Sequence, residues 1–220
     1  MKALANPPRF AVKHLVFDLG NVLFAWDPKT VPLPARQRLS IDDATLKRAR
    51  QALFEGSGWQ AFDAGQLTAG ALASQCAQET GLPEPLYLAL IEAMPESLEA
   101  IPPMLKFLSR IAPSTPCHLL SNIAGFTWAR MTAQHDFTHH FQSLTLSYRL
   151  GVNKPAAALY HACFHAGAFA PDDAVFIDDR RENIAAGEAL GLRGLHLPHP
   201  AAAPAAIARL EAWLGGAPLK

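Results

Sequence analysis

The chain has 220 residues, half of them apolar, enough for one good core and a smaller appended unit, which excludes a wholly disordered protein. Lysine plus arginine and aspartate plus glutamate both number 19, so no global charge excess favours nucleic acid or an anionic membrane. Cys76, Cys117 and Cys163 are odd in number and lack CxxC spacing, which argues against a disulfide framework or thiolate zinc site, and the lack of a membrane-length apolar run predicts a soluble, cytoplasmic protein.

The first apolar run, His14-Leu15-Val16-Phe17, stops at Asp18 and is followed by Leu19-Gly20-Asn21-Val22-Leu23. Similar runs at 117–120, 144–146, 174–177 and 194–197 also end in polar residues, with helix-like stretches between most of them. That βα alternation predicts an α/β fold with a Rossmann-like parallel sheet flanked by helices.

The first gap is too long for one crossover: about 95 residues separate Leu23 from Cys117, whereas a βαβ unit needs roughly 30. Leu46, Ala49 and Leu53 fit one helix, Leu72 and Cys76 another, and Leu86, Leu90 and Met94 a third, with no convincing strand. Residues 25–97 therefore read as an inserted helical cap domain, and 1–24 with 98–220 as the core. Leu98 to Ile111 resumes the core as a helix, with Pro102-Pro103 suited to its first turn. Leu159, Cys163 and Ala166 trace a core-facing helix after Lys154-Pro155; Ile207, Leu210 and Leu214 trace another through the alanine-rich stretch 201–208.

In an open parallel sheet, ligands bind outside the carboxyl ends of the strands, where Asp18, Ser121-Asn122 and Asp178-Asp179 fall. Taken singly, each has an ordinary role: Asp18 can begin a turn, and Asn122, Asp178 or Asp179 can cap a helix. Lys154 differs, because Pro155 is suited to a first helical position and a cation there is disfavoured by roughly 0.3–1 kcal/mol. A bound anion would remove that objection. Two adjacent carboxylates at 178 and 179 are costly without a cation, which favours a metal site.

The ordered set Asp18-Leu19-Gly20-Asn21-Val22-Leu23, Ser121-Asn122, Leu150-Gly151-Val152-Asn153-Lys154-Pro155 and Phe176-Ile177-Asp178-Asp179 resembles the four motifs of the haloacid dehalogenase-like hydrolase superfamily. It looks closest to the branch containing alpha-D-glucose-1-phosphate phosphatase, with the phosphatase domain of bifunctional epoxide hydrolases a further relative. Trp59, Phe62, Gly65 and Thr68 echo the same branch. The resemblance implies a Mg²⁺-dependent phosphatase acting on a small phosphorylated metabolite, such as a sugar phosphate, through an aspartyl-phosphate. Asp18 would be the nucleophile, Ser121, Asn122 and Lys154 would hold phosphate, and Asp18, the Gly20 carbonyl and Asp179 would hold the metal. Asp178 would support that shell or join it.

Asp18, with an ordinary pKa of about 3.9, is expected to be ionised near neutrality and to attack without a base. Gly20 departs from the pattern of many superfamily phosphatases, which carry there a second Asp that protonates the leaving oxygen. General acid–base help is typically worth 10²–10⁴-fold, so its absence favours good leaving groups such as the anomeric oxygen of a sugar 1-phosphate. Two alternatives stand beside this reading. A carbon–halogen hydrolase would use the same Asp without a metal, and a catalytically weak sensor of phosphorylated metabolites would account for Gly20. Asp27 reads as a helix N-cap before Pro28, Trp59 with Phe62 as cap packing, and the pairs His135/His139 and His161/His165 as surface or satisfied histidines rather than zinc ligands.

Overall fold

The computed structural model describes residues 12–28 and 41–215. Its strands, in chain order, are β1 (His14–Phe17), β2 (Phe24–Ala25), β3 (Glu99–Ala100), β4 (Cys117–Ser121), β5 (Ser143–Leu146), β6 (Ala174–Asp178) and β7 (Arg193–His196). Five of them form a parallel sheet in the order β5-β4-β1-β6-β7, while β2 and β3 pair as a small antiparallel ribbon. The helices are α1 (Asp43–Glu55), α2 (Ser57–Asp63), α3 (Ala69–Thr80), α4 (Glu84–Ala93), α5 (Pro102–Ile111), α6 (Gly125–Gln134), α7 (Ser147–Leu150), α8 (Ala157–Gly167), α9 (Arg181–Ala189) and α10 (Ala203–Trp213).

Both faces of the sheet are covered, which explains why its strands read as continuous apolar runs. Leu15, Phe17, Leu119, Val175 and Ile177 point to one face, where Met104 and Leu108 of α5 and Leu210 of α10 meet them. Alternate residues Val16, Leu120 and Phe176 point to the other, against Leu159 and Cys163 of α8 and Ile184 of α9. From β1 the chain runs outward to β4 and β5, then returns to build β6 and β7 on the opposite side of β1. The order thus reverses at the central strand, and the crevice at its carboxyl end is where such sheets bind ligands.

Between β2 and β3, helices α1 to α4 form an inserted helical cap with its own core, including Ala49, Leu53, Trp59, Phe62, Leu72, Cys76 and Leu90. Asp42 accepts the Thr45 amide at the start of α1, and Thr68 accepts the Ala71 amide at the start of α3. Each satisfies an amide that the helix leaves without an internal partner. Gly81 ends α3 in the left-handed conformation, at φ 70°.

Several local expectations need correction. The ribbon β2–β3 was invisible because two residues per strand carry no alternation, and it moves the start of the next helix from Leu98 to Pro102. Helix α2 is a fourth cap helix, too short at seven residues for a periodic signal. Helix α8 begins at Ala157, so Pro155 precedes it, and Ala166 is exposed rather than core-facing. Leu214 lies just beyond α10, while 200–202 form a separate 3₁₀ turn ahead of it. The helix that Asp27 was expected to cap would open in residues outside those described.

Candidate active site

Asp18 follows β1, Ser121 ends β4, Asp178 ends β6 with Asp179 next, and Lys154 lies in the turn after α7. The sheet therefore brings all four motif positions to one edge. Lys154, only 4% exposed, is the hub. Its Nζ lies 2.8 Å from Asp18 Oδ1 and 2.7 Å from Asp178 Oδ2, and donates to the Leu120 carbonyl at 2.9 Å. A buried ammonium is tolerated only when paired and hydrogen-bonded in this way. The electrostatic partners of Lys154 are thus carboxylates of the protein, which corrects the expectation that its charge faces the start of a helix.

Asp178 is fully buried and accepts from the Arg180 amide at 2.8 Å and from Asn183 Nδ2 at 3.0 and 3.1 Å, besides Lys154. Asp179 is part-buried, and its Oδ2 accepts from Asn21 Nδ2 at 2.9 Å. Ligand oxygens of Asp18, Asp178 and Asp179 all lie within 4.8 Å of one another, the one cluster of three potential metal ligands among the described residues. The two histidine pairs take no part in it, and His161 and His165 are exposed.

Three carboxylates around one ammonium leave a negative excess when ionised, and an all-oxygen donor set suits a hard divalent cation such as Mg²⁺. Asp178 already carries protein donors on both oxygens, so the geometry favours Asp179 for direct contact. Burial, opposed by Lys154 and reinforced by Asp178 and Asp179, pushes Asp18 up to about 7. A further positive charge nearby would favour its ionised form near neutrality. Burial works against the Lys154 ammonium too, but Asp178 and Asp18 outweigh it and hold its pKa above the usual lysine value. Asp179 is raised, mainly by burial, with the Asn21 amide pulling the other way.

Asn122 does something the sequence did not suggest. Its Nδ2 donates to the Lys154 carbonyl at 3.0 Å, and its Oδ1 accepts the Lys154 amide at 2.7 Å, so the side chain brackets the lysine backbone. Asn21, at φ 55°, uses its amide to join Asp179 to the Trp26 amide at 2.9 Å; Asn accepts this left-handed conformation more readily than most residues. Neither link leaves a periodic trace.

Where cap meets core beside the crevice lies an open cavity of about 100 Å³, lined by Gly20, Trp26, Trp59, Asp63, Ser121 and Thr127 among others. Trp26 Nε1 and Thr127 Oγ1 are buried without a hydrogen-bond partner among the described residues. Trp26 and Trp59 stack at 6.4 Å, so Trp59 joins the lining while Phe62 packs behind it. The cap wall is pinned by core side chains: Ser147 Oγ donates to the Asp63 carbonyl at 2.6 Å and Asn153 Nδ2 to the Gln60 carbonyl at 2.7 Å. From the cap, Gln66 Nε2 reaches the Gly151 carbonyl at 2.8 Å. Gly65, at φ 69°, packs so closely that a Cβ there would meet the Tyr148 carbonyl oxygen at 2.6 Å.

The sheet order, the cap inserted after β1 and the acidic cluster at the strand ends define the fold of the haloacid dehalogenase-like enzymes, as the motifs implied. A haloacid dehalogenase-like enzyme of Bacteroides thetaiotaomicron, solved with magnesium and inorganic phosphate, matches at a TM-score of 0.63 and 18% identity, over 84% of this chain and 93% of its own. An L-2-haloacid dehalogenase of Xanthobacter autotrophicus matches at a TM-score of 0.63 and 19% identity, over 84% and 77% of the two chains. Among curated proteins, a sesquiterpene phosphatase of Aspergillus oryzae is 23% identical over 84% of this chain and 89% of its own length. Two further curated relatives are larger proteins of which the matched region spans 19% and 34%. No family model matches the chain.

Proposed function

We propose that this protein is a Mg²⁺-dependent phosphatase that hydrolyses a small phosphorylated metabolite through an aspartyl-phosphate on Asp18. The observation that carries this reading is the acidic cluster closed by Lys154: ligand oxygens of Asp18, Asp178 and Asp179 within 4.8 Å, with the ammonium between Asp18 and Asp178. A carbon–halogen hydrolase that works without a metal would have no cation for three clustered carboxylates to hold. The relative solved with magnesium and phosphate supports the same choice.

Asp18, the Gly20 carbonyl and Asp179 would hold the cation, with Asp178 held ready by Lys154, Arg180 and Asn183. The cation would supply positive charge that keeps Asp18 ionised and offsets the approaching phosphate. The Asp18 carboxylate attacks phosphorus and the P–O bond to the leaving group breaks. Lys154 sits beside Asp18, where phosphoryl oxygens would gather charge, and Ser121 lines the adjoining cavity with Gly20 and Asn122. Asn122 serves phosphate binding chiefly by fixing the Lys154 backbone. Water then attacks phosphorus and frees Asp18.

The cavity suits a small leaving group with some polar character, because Trp26 Nε1 and Thr127 Oγ1 await partners in an otherwise largely apolar lining. A sugar phosphate meets that description, with a ring face against Trp59 and hydroxyls for the two orphans. A terpenyl chain would require the cap to move. The test is phosphate release from 4-nitrophenyl phosphate, sugar 1-phosphates and a prenyl phosphate, with and without Mg²⁺, for wild type and Asp18→Asn. Magnesium-dependent release that Asp18→Asn lowers by about 10⁴-fold or more is expected. Chloride release from 2-chloropropionate without added metal would replace this reading with the dehalogenase, and silence toward every phosphate would replace it with the sensor.

A further inference from the structure

The phosphatase reading leaves one chemical step without an owner. When the P–O bond breaks, the leaving oxygen takes the electron pair and, for an alcohol, needs a proton; Gly20 has no side chain to give it. The glycine is not there for want of space, since a Cβ at residue 20 would meet nothing within 4 Å and its φ is not positive. A side chain on another wall of the cavity can supply the proton.

Among the described residues, Asp63 is the one ionisable side chain in that lining. It closes helix α2 and shares the cavity lining with the core residues Gly20, Ser121 and Asn122. Its backbone is held from the core, because Ser147 Oγ accepts the Ile123 amide at 2.8 Å and donates to the Asp63 carbonyl at 2.6 Å. Resting on the phosphatase reading, we infer that Asp63 of the cap protonates the leaving oxygen and afterwards deprotonates the attacking water.

The step balances. Asp18 forms its bond to phosphorus, the bond to the leaving oxygen breaks, and the Asp63 proton passes to that oxygen. Water then takes the place of the departed alcohol; its oxygen bonds to phosphorus, the bond to Asp18 breaks, and its proton returns to Asp63. A group that both gives and takes a proton works best with a pKa near the working pH. Burial pushes Asp63 up to about 7, against the Ala124 amide, the Trp59 indole N–H and the charge of Arg180, which all pull downward. Arg180 is the charged side chain that acts on it.

The experiment separates the two steps by leaving group. In rapid-mixing assays with Mg²⁺, Asp63→Asn should retain a burst of 4-nitrophenolate at close to the wild-type rate, because that leaving group departs without a proton, and then turn over slowly. With an alkyl phosphate such as glycerol 3-phosphate, its single-turnover phosphorylation should fall by about 10²–10⁴-fold. Wild-type phosphorylation by the alkyl phosphate should decline above about pH 7, and that limb should vanish in the variant. Gly20→Asp in the Asp63→Asn background should recover part of the alkyl rate, since the new carboxyl would enter the open space on the facing wall. Equal losses on both substrates, or no loss on either, would overturn the assignment of Asp63 while leaving the phosphatase intact. A wild type silent toward both would overturn the phosphatase reading and this one with it.

Discussion

The two ends of the central sheet treat buried polar side chains in opposite ways. At the carboxyl end, Lys154 is locked between Asp18 and Asp178, so charges are kept and cancelled. At the amino end, His14 and His118 lie 3.1 Å apart through Nδ1 and Nε2, stack on Phe169, and are held with the Ser143 hydroxyl 2.8 Å from His118 Nδ1. No carboxylate shares their hydrogen bonds, and burial with the neighbouring His14 lowers His118 to about 4. Burial by itself therefore does not make a reactive site. Reactivity arises where opposite charges must be held together and their sum is left short of neutral.

Removing the cation from the charged end is the strongest way to break this contrast. Lys154→Ala leaves Asp18 and Asp178 buried without their ammonium, a loss expected to cost about 3–5 kcal/mol of stability. Urea denaturation would show it, and phosphate release would be lost with it. Because the deficit comes from carboxylate repulsion, added Mg²⁺ should restore part of the stability but not the activity.

The neutral end calls for acid. An unfolded histidine titrates near 6.5 and His118 in the fold near 4, so above pH 6.5 neither state binds the proton. Between those values the unfolded chain takes up a proton that the native state refuses, and stability falls as the pH falls. The contribution amounts to up to about 3 kcal/mol below pH 4. His118→Phe should lack it, so its denaturation midpoint should gain on wild type between pH 6.5 and 4. A constant difference across that range would mean that His118 is not held neutral.

The smallest effect concerns the rim of the site. Asn21→Ala removes the amide that orients Asp179, and Mg²⁺ affinity, read by calorimetry on the metal-free protein, should weaken by about 10–100-fold. An unchanged affinity would shift direct metal binding toward Asp178.

The strands, the inserted cap and the convergence of Asp18, Ser121, Lys154, Asp178 and Asp179 were legible because each rests on a local signal: an apolar run, an anomalous gap, a polar residue at a strand end. What escaped depends on contacts across long stretches of chain. Asp63 lies in a seven-residue helix with no periodic pattern, and only the folded chain brings it into one cavity lining with Gly20. The place of Asn122 beside Ser121 was visible, whereas its pairing with Lys154, 32 residues later, was not. The upward pull of burial on the Asp18 pKa escaped for the same reason, since burial is a property of the assembled sheet.

The seam that fastens α2 to the core has a further consequence. Ser147, Asn153 and Gln66 all end on main-chain carbonyls, those of Asp63, Gln60 and Gly151. A carbonyl persists whatever side chain its residue bears. Mutation can thus reshape the chamber at Trp26, Trp59 or Met94 without unfastening the lid, so new substrates can be explored by descendants of this chain while the alignment of its reactive groups is inherited unchanged.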